Sequence, residues 1–438
     1  MHSLWREVLI NGMNNKSKME HIKLGLKENR KQFWLLVFIN ALVGGMIGLE
    51  RTLLPDIAAK EFHLTSASVI LSFIIVFGLF KAITNYFAGA LANRFGRKKL
   101  LLFGWLIGLP IPFILMYANS WNWIIFANIL LGINQGLTWS STVTMKIDLV
   151  GDKERGFAMG LNEFAGYGAV ALVAYATSSI AANYGLRPYP FMIGIVIVIS
   201  GTLLSWLFVK DTTSHAQKET QQNNNAPLLK NIFAETSWLN KNLGSVTQAG
   251  LINNLNDAMI WGIMPVLLAN KGFNIEQIGI ITATYPAVWG LSQLVTGKLA
   301  DIYCKRDLLF WGMLLQGIAI LLIIFSNSIT HYIVISVVLG IGTAIVYPTF
   351  LSGIAENTNP MQRAKSLGVF RFWRDLGYVV GAFLTGVFTD FFSIEFSILF
   401  IGVLTILSSF VIIYRMHCKS QSKKLIQSQT HTYLRLDL

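Results

Sequence analysis

Charge is scarce in this chain. Only 13% of its 438 residues are Asp, Glu, Lys or Arg, against 53% hydrophobic, whereas a water-soluble domain carries about a quarter charged residues. Tyr189–Val209, Leu308–Ser326 and His331–Ala355 contain no charged side chain, and each is long enough as a helix to cross ~30 Å of hydrocarbon. Cysteine is rarer still, with two residues. Cys304 and Cys418 both fall in segments expected on the cytoplasmic side, where no disulfide framework is implied. All seven histidines lie in tails, loops or helix ends, and no phosphate-loop sequence is present. These absences leave nothing legible for a metal centre, a nucleotide site or a catalytic triad, so no cofactor is expected and the chain is not expected to be an enzyme; a membrane enzyme acting on lipid would need a clustered nucleophile or metal site that the sequence does not show. Residues 1–32 are polar and basic, as expected of a cytoplasmic tail rather than a signal peptide.

The net charge is +13, and its distribution reads as topology. Basic residues crowd the N-terminal tail, the turns near 94–99, 146–155 and 305–306, the 210–244 link and the C-terminal tail. In the alternate loops Lys60, Arg187 and Lys271 stand alone. This positive-inside pattern predicts an integral protein of the plasma (inner) membrane with both termini in the cytoplasm. The partners implied are membrane lipids and a small-molecule substrate, not nucleic acid, and the chain is expected to act as a monomer.

Twelve spans are predicted, roughly 33–57, 67–92, 100–118, 122–145, 157–183, 189–209, 245–269, 277–299, 307–326, 331–353, 365–389 and 394–414. They divide the chain into a tail (1–32), a six-helix bundle (33–209), a linker (210–244), a second six-helix bundle (245–414) and a tail (415–438). The linker begins with a polar run, Gln221–Asn225. It continues with Leu228, Leu229, Ile232, Phe233, Leu239 and Leu243 at helical spacing, which predicts an amphipathic helix at the membrane surface.

The stretch Gly89–Leu100 joins two of these spans. Gly89 and Ala92 are small enough for close helix approach. Gly96 permits a short reversal, and Arg94, Arg97, Lys98 and Lys99 hold the turn in the cytoplasm. Gly297-Lys-Leu-Ala-Asp301 repeats Gly89-Ala-Leu-Ala-Asn93 at an offset of 208 residues, which also links Gly104 to Gly312, Gly132 to Gly340, Arg155 to Arg363 and Gly160 to Gly368. A fixed offset over this length is an internal duplication, the signature of a transporter built from two like halves.

The stretch resembles the G-x-L-a-D-r-x-G-r-k-x loop of the major facilitator superfamily, with Asn93 in place of its Asp. The resemblance covers nearly all of 33–414. It implies an all-α membrane protein of twelve transmembrane helices in two pseudo-symmetric bundles, with Gly89, Asn93, Arg94, Gly96, Arg97, Gly297 and Asp301 forming a cytoplasmic gate. The sugar-porter sequences P-E-S-P-R and P-E-T-K-G are absent. Gly160-Leu-Asn-Glu-Phe-Ala-Gly166-Tyr-Gly168 stands where a drug antiporter would carry G-x-x-x-G-P-x-x-G-G.

Ionisable residues at membrane depth are costly and point to function. Eight qualify: Glu50, Arg51, Lys81, Glu163, Asp257, Arg371, Arg374 and Asp375. Asp257, Glu163 and Asp375 are the candidates for proton coupling, because an approaching arginine changes the protonation of a buried carboxylate. Arg51, Lys81, Asn253, Asn254, Arg371 and Arg374 are the candidates for substrate binding. Glu163 and Arg371 stand 208 residues apart, so a cross-interface pair at matched depth is one expectation and separate partners in each half the other. For Lys81 the alternatives are a substrate anion or a buried pair with Glu50 or another carboxylate; for Arg51, substrate or Glu50. Pro265 is expected to interrupt its helix. The sequence therefore reads as a proton-coupled secondary transporter of a small organic solute working by alternating access, with export favoured. The alternatives are an importer of an organic anion or zwitterion and a solute sensor on the same scaffold.

Overall fold

The computed structural model describes residues 22–150, 155–220 and 228–418, helical with no strand among them. Much of both tails and the Gln221–Asn225 run lie outside the described residues, as do the side chains of Asn93 and Asp301 and the gate position Gly89.

In the first half, α1 is Arg30–Arg51, α2 is Ala67–Ile70 continuing as Ser72–Phe95, and α3 is Arg97–Tyr117 with a break before Ile111. Then follow α4 (Trp121–Val150), α5 (Arg155–Tyr184) and α6 (Met192–Leu207). The second half holds α7 (Lys241–Asn270), α8 (Ile275–Ile302), α9 (Lys305–Ile323), α10 (Ile329–Asn357), α11 (Pro360–Phe391) and α12 (Ile394–Arg415). Ten of these are apolar and long enough to span a membrane. The other two, α4 and α11, have 30 and 32 residues; α11 is rich in charged side chains, and α4 is polar mainly through Asn, Gln, Ser and Thr. The chain crosses from face to face with each helix, so both ends of the described chain emerge on one face, here called the terminal face.

Backbone hydrogen bonds close within each helix, as hydrocarbon requires. Large apolar side chains such as Phe38, Phe103, Trp206, Val295, Trp311 and Phe325 are exposed on the outside. That surface would fail in water and is ordinary against lipid. Inside, helices approach through small residues: a Cβ on Gly44 of α1 would strike the α5 backbone at Gly166, and one on Gly166 would strike Trp139 of α4 and Asn40 of α1. Within the first half α1 packs on α5 and α2 on α4; across the halves α5 packs on α8 and α2 on α11.

Three local expectations change. Pro265 lies inside α7, which runs unbroken past it. The amphipathic part of the linker is short: Ile232–Ala234 and Glu235–Leu239 are helical, held by Trp373 Nε1 donating to Ser237 (2.8 Å), and Leu243 already belongs to α7. Cys304 and Cys418 are joined as a disulfide. The turn after α8 and the end of α12, far apart in sequence, are brought together at the terminal face, their Cα atoms 5.9 Å apart.

The turn between α2 and α3 is built as its glycine suggested. Gly96 has φ +88°, a conformation that strains other residues. The Asp211 carboxylate accepts from the Lys98 amide (2.9 Å), capping α3 from the linker. Arg97 pairs with Asp148 at the end of α4 (2.7 Å), and Thr212 also donates to Asp148 (2.6 Å). Arg94 is exposed.

Candidate functional site

The polar cluster of α7 sends its side chains in different directions because successive residues are rotated about a third of a turn. Asn256 donates to Gln316 of α9 (3.2 Å) and accepts from Thr405 of α12 (2.6 Å), so it ties the second half together. Asn254 reaches Asp375 of α11 (3.4 Å). Asp257 accepts from the Tyr285 hydroxyl of α8, which lies 3.1 Å from the Thr343 hydroxyl of α10, while its second oxygen has no partner. Asn253 is buried with neither amide atom bonded.

Across the interface, α2 presents Lys81 and Asn85 one turn apart. Lys81 Nζ lies 3.4 Å from Asp375 Oδ1, and Asn85 donates to the other oxygen at 2.6 Å. Lys81 thus pairs with a carboxylate of the opposite half, and not with Glu50, which accepts from Asn128 (3.1 Å). Ser140 of α4 donates to Asn85 and accepts from Arg371 Nη1 (3.2 Å). Glu163 accepts from Asn162 (2.8 Å) and from Trp139 Nε1 (3.4 Å) and leaves one oxygen free. No ion pair joins Glu163 to Arg371 among the described residues; the arginine is engaged by Ser140.

Among the described residues, two deeply buried guanidinium groups make no direct ion pair and keep unbonded nitrogens. Arg51, only 4% exposed, has no partner at any of its three nitrogens. It packs against the rings of Phe77 (4.5 Å), Trp261 (4.8 Å) and Phe73 (5.9 Å). Arg374, 5% exposed, lies 4.5 Å from the Tyr347 ring, with Nε and Nη2 unpartnered. Between the halves runs an aromatic column in which Tyr167 of α5 stacks on Trp289 of α8 at 3.5 Å. Trp289 also neighbours Tyr285 and Tyr347, and Tyr378 of α11 bridges Phe77 and Trp261. Such a site offers rings for an apolar body and forked donors for an acid group.

At the face opposite the termini the two halves are tied together. Asp390, at the end of α11, accepts from the amides of Ala67 (2.6 Å) and Ser68 (3.0 Å) and from the hydroxyls of Ser66 and Ser68 at the start of α2. A carboxylate here also complements the positive end of α2. Nearby, Thr52 meets Thr282 across the interface at 3.5 Å.

Sequence reasoning missed Lys146, assigned to a basic turn but buried in the last turns of α4, together with the aromatic column and Asp390. Lys146 follows Thr142 and Trp139 at helical spacing, a signal that could have placed it on the same inward stripe.

The family model described as Major Facilitator Superfamily matches residues 33–244 and 246–432. A proton-coupled antiporter flippase, LtaA, of Staphylococcus haemolyticus is 23% identical over 379 residues, covering 84% of this chain and 89% of that protein. The multidrug resistance protein MdtG of Salmonella arizonae is 24% identical over 379 residues, covering 82% and 88%. In fold, the chain is similar to the crystal structure of the human organic anion transporter MFSD10, with a TM-score of 0.68, 15% identity and coverage of 88% and 99%. The duplicated helical halves, the apolar exterior and these matches agree: the chain is an integral membrane secondary transporter, not an enzyme, and belongs to the major facilitator superfamily.

Proposed function

We propose that this chain is a proton-coupled exporter of an organic anion or zwitterion, working as a monomer in the plasma membrane with both termini in the cytoplasm. The observation that carries the substrate charge is the pair of buried guanidinium groups with unbonded nitrogens, all three on Arg51 and two on Arg374. A buried cation without a counter-ion is expensive. A carboxylate or phosphate entering between the halves would supply the missing acceptors bidentately, with the Tyr167–Trp289 stack against its apolar part and Asn253 supplying an amide. Lys81, Asn254 and Arg371 act on the substrate only through the network that includes Asp375 and Ser140.

For coupling, Asp257 and Glu163 fit best, since each has one bonded and one free oxygen. Asp375 receives Lys81, Asn85 and Asn254 and serves better as a fixed anion between the halves than as a proton carrier. The names of the relatives, one a proton-coupled antiporter and one a multidrug resistance protein, support coupling and export. The gate assigned to Gly89, Asn93, Arg94, Gly96, Arg97, Gly297 and Asp301 would close the cytoplasmic side as the halves rock. A thermal-shift screen of the purified protein against organic acids, amino acids and cationic drugs tests the substrate class. Hits confined to acids or zwitterions, lost in Arg51→Gln, are expected; hits confined to cationic drugs would overturn it. Substrate-driven proton movement in proteoliposomes tests the coupling.

A further inference from the structure

We propose that Lys146 exchanges a proton with Glu163 inside the first half, forming a path from the site toward the terminal face that is separate from Asp257. This rests on the proton-coupled reading above. Lys146 is 1% exposed; among the described residues it makes no ion pair and one hydrogen bond, from Nζ to the Leu36 carbonyl of α1 at 3.2 Å. An amine able to offer up to three donors therefore uses one. A lysine kept for stability would be expected to meet a carboxylate.

Its surroundings lead to Glu163. Trp139, Thr142 and Lys146 share one stripe of α4. Trp139 donates to Glu163 (3.4 Å). Thr142 donates to Asn40 of α1 (2.7 Å), Asn40 donates to the Asn162 carbonyl (2.7 Å), and Asn162 donates to Glu163 (2.8 Å). Leu36 lies one turn of α1 before Asn40, so Lys146 sits one turn nearer the terminal face than this network. Among the described residues, Glu163 of α5 acts on Lys146, and α1 accepts from it through the Leu36 carbonyl. From the other side, Arg371 and Arg374 of the second half act on Glu163. Asp148, two residues further along α4, is engaged by Arg97 and Thr212.

Glu163 thus feels the charge of a lysine of its own half and of two arginines of the other. When the arginines approach, the carboxyl proton passes to the Lys146 amine, giving carboxylate and ammonium with no other reactant. The ammonium releases that proton to water once the terminal face opens beside α4. When the arginines withdraw, the carboxylate is ready to be protonated again from the opposite side.

The test uses the full chain in proteoliposomes with the best acid from the substrate screen. Three readouts are compared: accumulation driven by a pH gradient, counterflow without a gradient, and thermal unfolding. Lys146→Met should lower gradient-driven accumulation by about tenfold or more, leave counterflow near the parent value, and unfold no earlier than the parent. Glu163→Gln should do the same, and the double variant should be no worse than either single one. Lys146→Arg, which keeps a polar anchor but cannot release its proton, should also lose coupling, and serves where the methionine variant does not fold. Parent-like accumulation in these variants, or equal loss of accumulation and counterflow, would overturn the role of Lys146. If the parent itself ignores the gradient, the coupling reading fails first and this inference with it.

Discussion

Lys81 and Asp375 meet across the interface between the two halves, Nζ to Oδ1 3.4 Å apart, both deeply buried. The contact matters because it joins α2 to α11, so it must be rearranged if the halves separate there. It also decides what a substitution at Lys81 measures. Removing one member of a buried pair leaves the other uncompensated, at a typical cost of ~3–5 kcal/mol.

Lys81→Gln should therefore lower the unfolding temperature clearly, and Asp375→Asn likewise. The double variant should recover much of the loss, because the orphan charge is gone. Unfolding of the detergent-solubilised protein followed by intrinsic fluorescence checks this; strictly additive losses would mean that the pair does not act as a unit.

Arg51 is expected to behave in the opposite way. Arg51→Gln should weaken acid binding about tenfold, ~1.4 kcal/mol, with an unfolding temperature equal to or above the parent's. Isothermal titration gives the first quantity and a thermal scan the second. Unchanged affinity would move the substrate away from the aromatic cage formed by Phe77 and Trp261.

Asp257→Asn should abolish proton-driven accumulation while sparing energy-independent exchange, since the amide can still accept from Tyr285 but carries no titratable proton. Transport in vesicles with and without a pH gradient separates the two. Continued concentration of solute against a gradient would make Asp257 structural.

The Asp390 contacts tie α11 to α2 at the opposite face, so Asp390→Ala should make that side more accessible. With Cys304 and Cys418 replaced by serine, Ser178→Cys provides a reporter packed under Gly279. Its labelling rate should rise at least severalfold in the alanine variant. An unchanged rate would mean that the neighbouring contacts, Thr52 with Thr282 among them, hold the face alone.

The Asp211 cap of α3 has a defined pH signature. Partial burial raises its carboxyl, but donations from Thr213 and the Lys98 and Thr213 amides, with Arg97 nearby, outweigh this and hold it below the usual carboxylate range. A depressed folded value means that its stabilisation is complete above the ordinary Asp range and fades only as the pH falls through the lower folded value. The unfolding temperatures of parent and Asp211→Asn should differ by a constant amount from pH 8 to pH 5 and converge below about pH 4. Convergence already near pH 6 would assign the anchor to another group.

The sequence by itself determined the membrane class, the duplicated halves and the inventory of buried charges, because each is written locally. Apolar runs are set by the thickness of hydrocarbon, the repeat is a matter of spacing, and a charge in an apolar run is visible wherever it points. It also identified Gly96 as the turn, since a positive φ there favours glycine. Partner choice was not legible. Lys81 could have met Glu50, yet it meets Asp375 nearly three hundred residues away, because the packing of α2 on α11 sets that distance and nothing along the chain encodes it. The same holds for Tyr167 on Trp289, for Asp390 on Ser66 and Ser68, and for Cys304 beside Cys418. Lys146 was hidden for a related reason: a lysine near a helix end looks solvated until the next helices close over it. Arg51 and Arg374 were recognisable as buried cations from the sequence, but that they keep unbonded nitrogens, the feature on which the substrate charge rests, was decided only when the helices had filled the space around them.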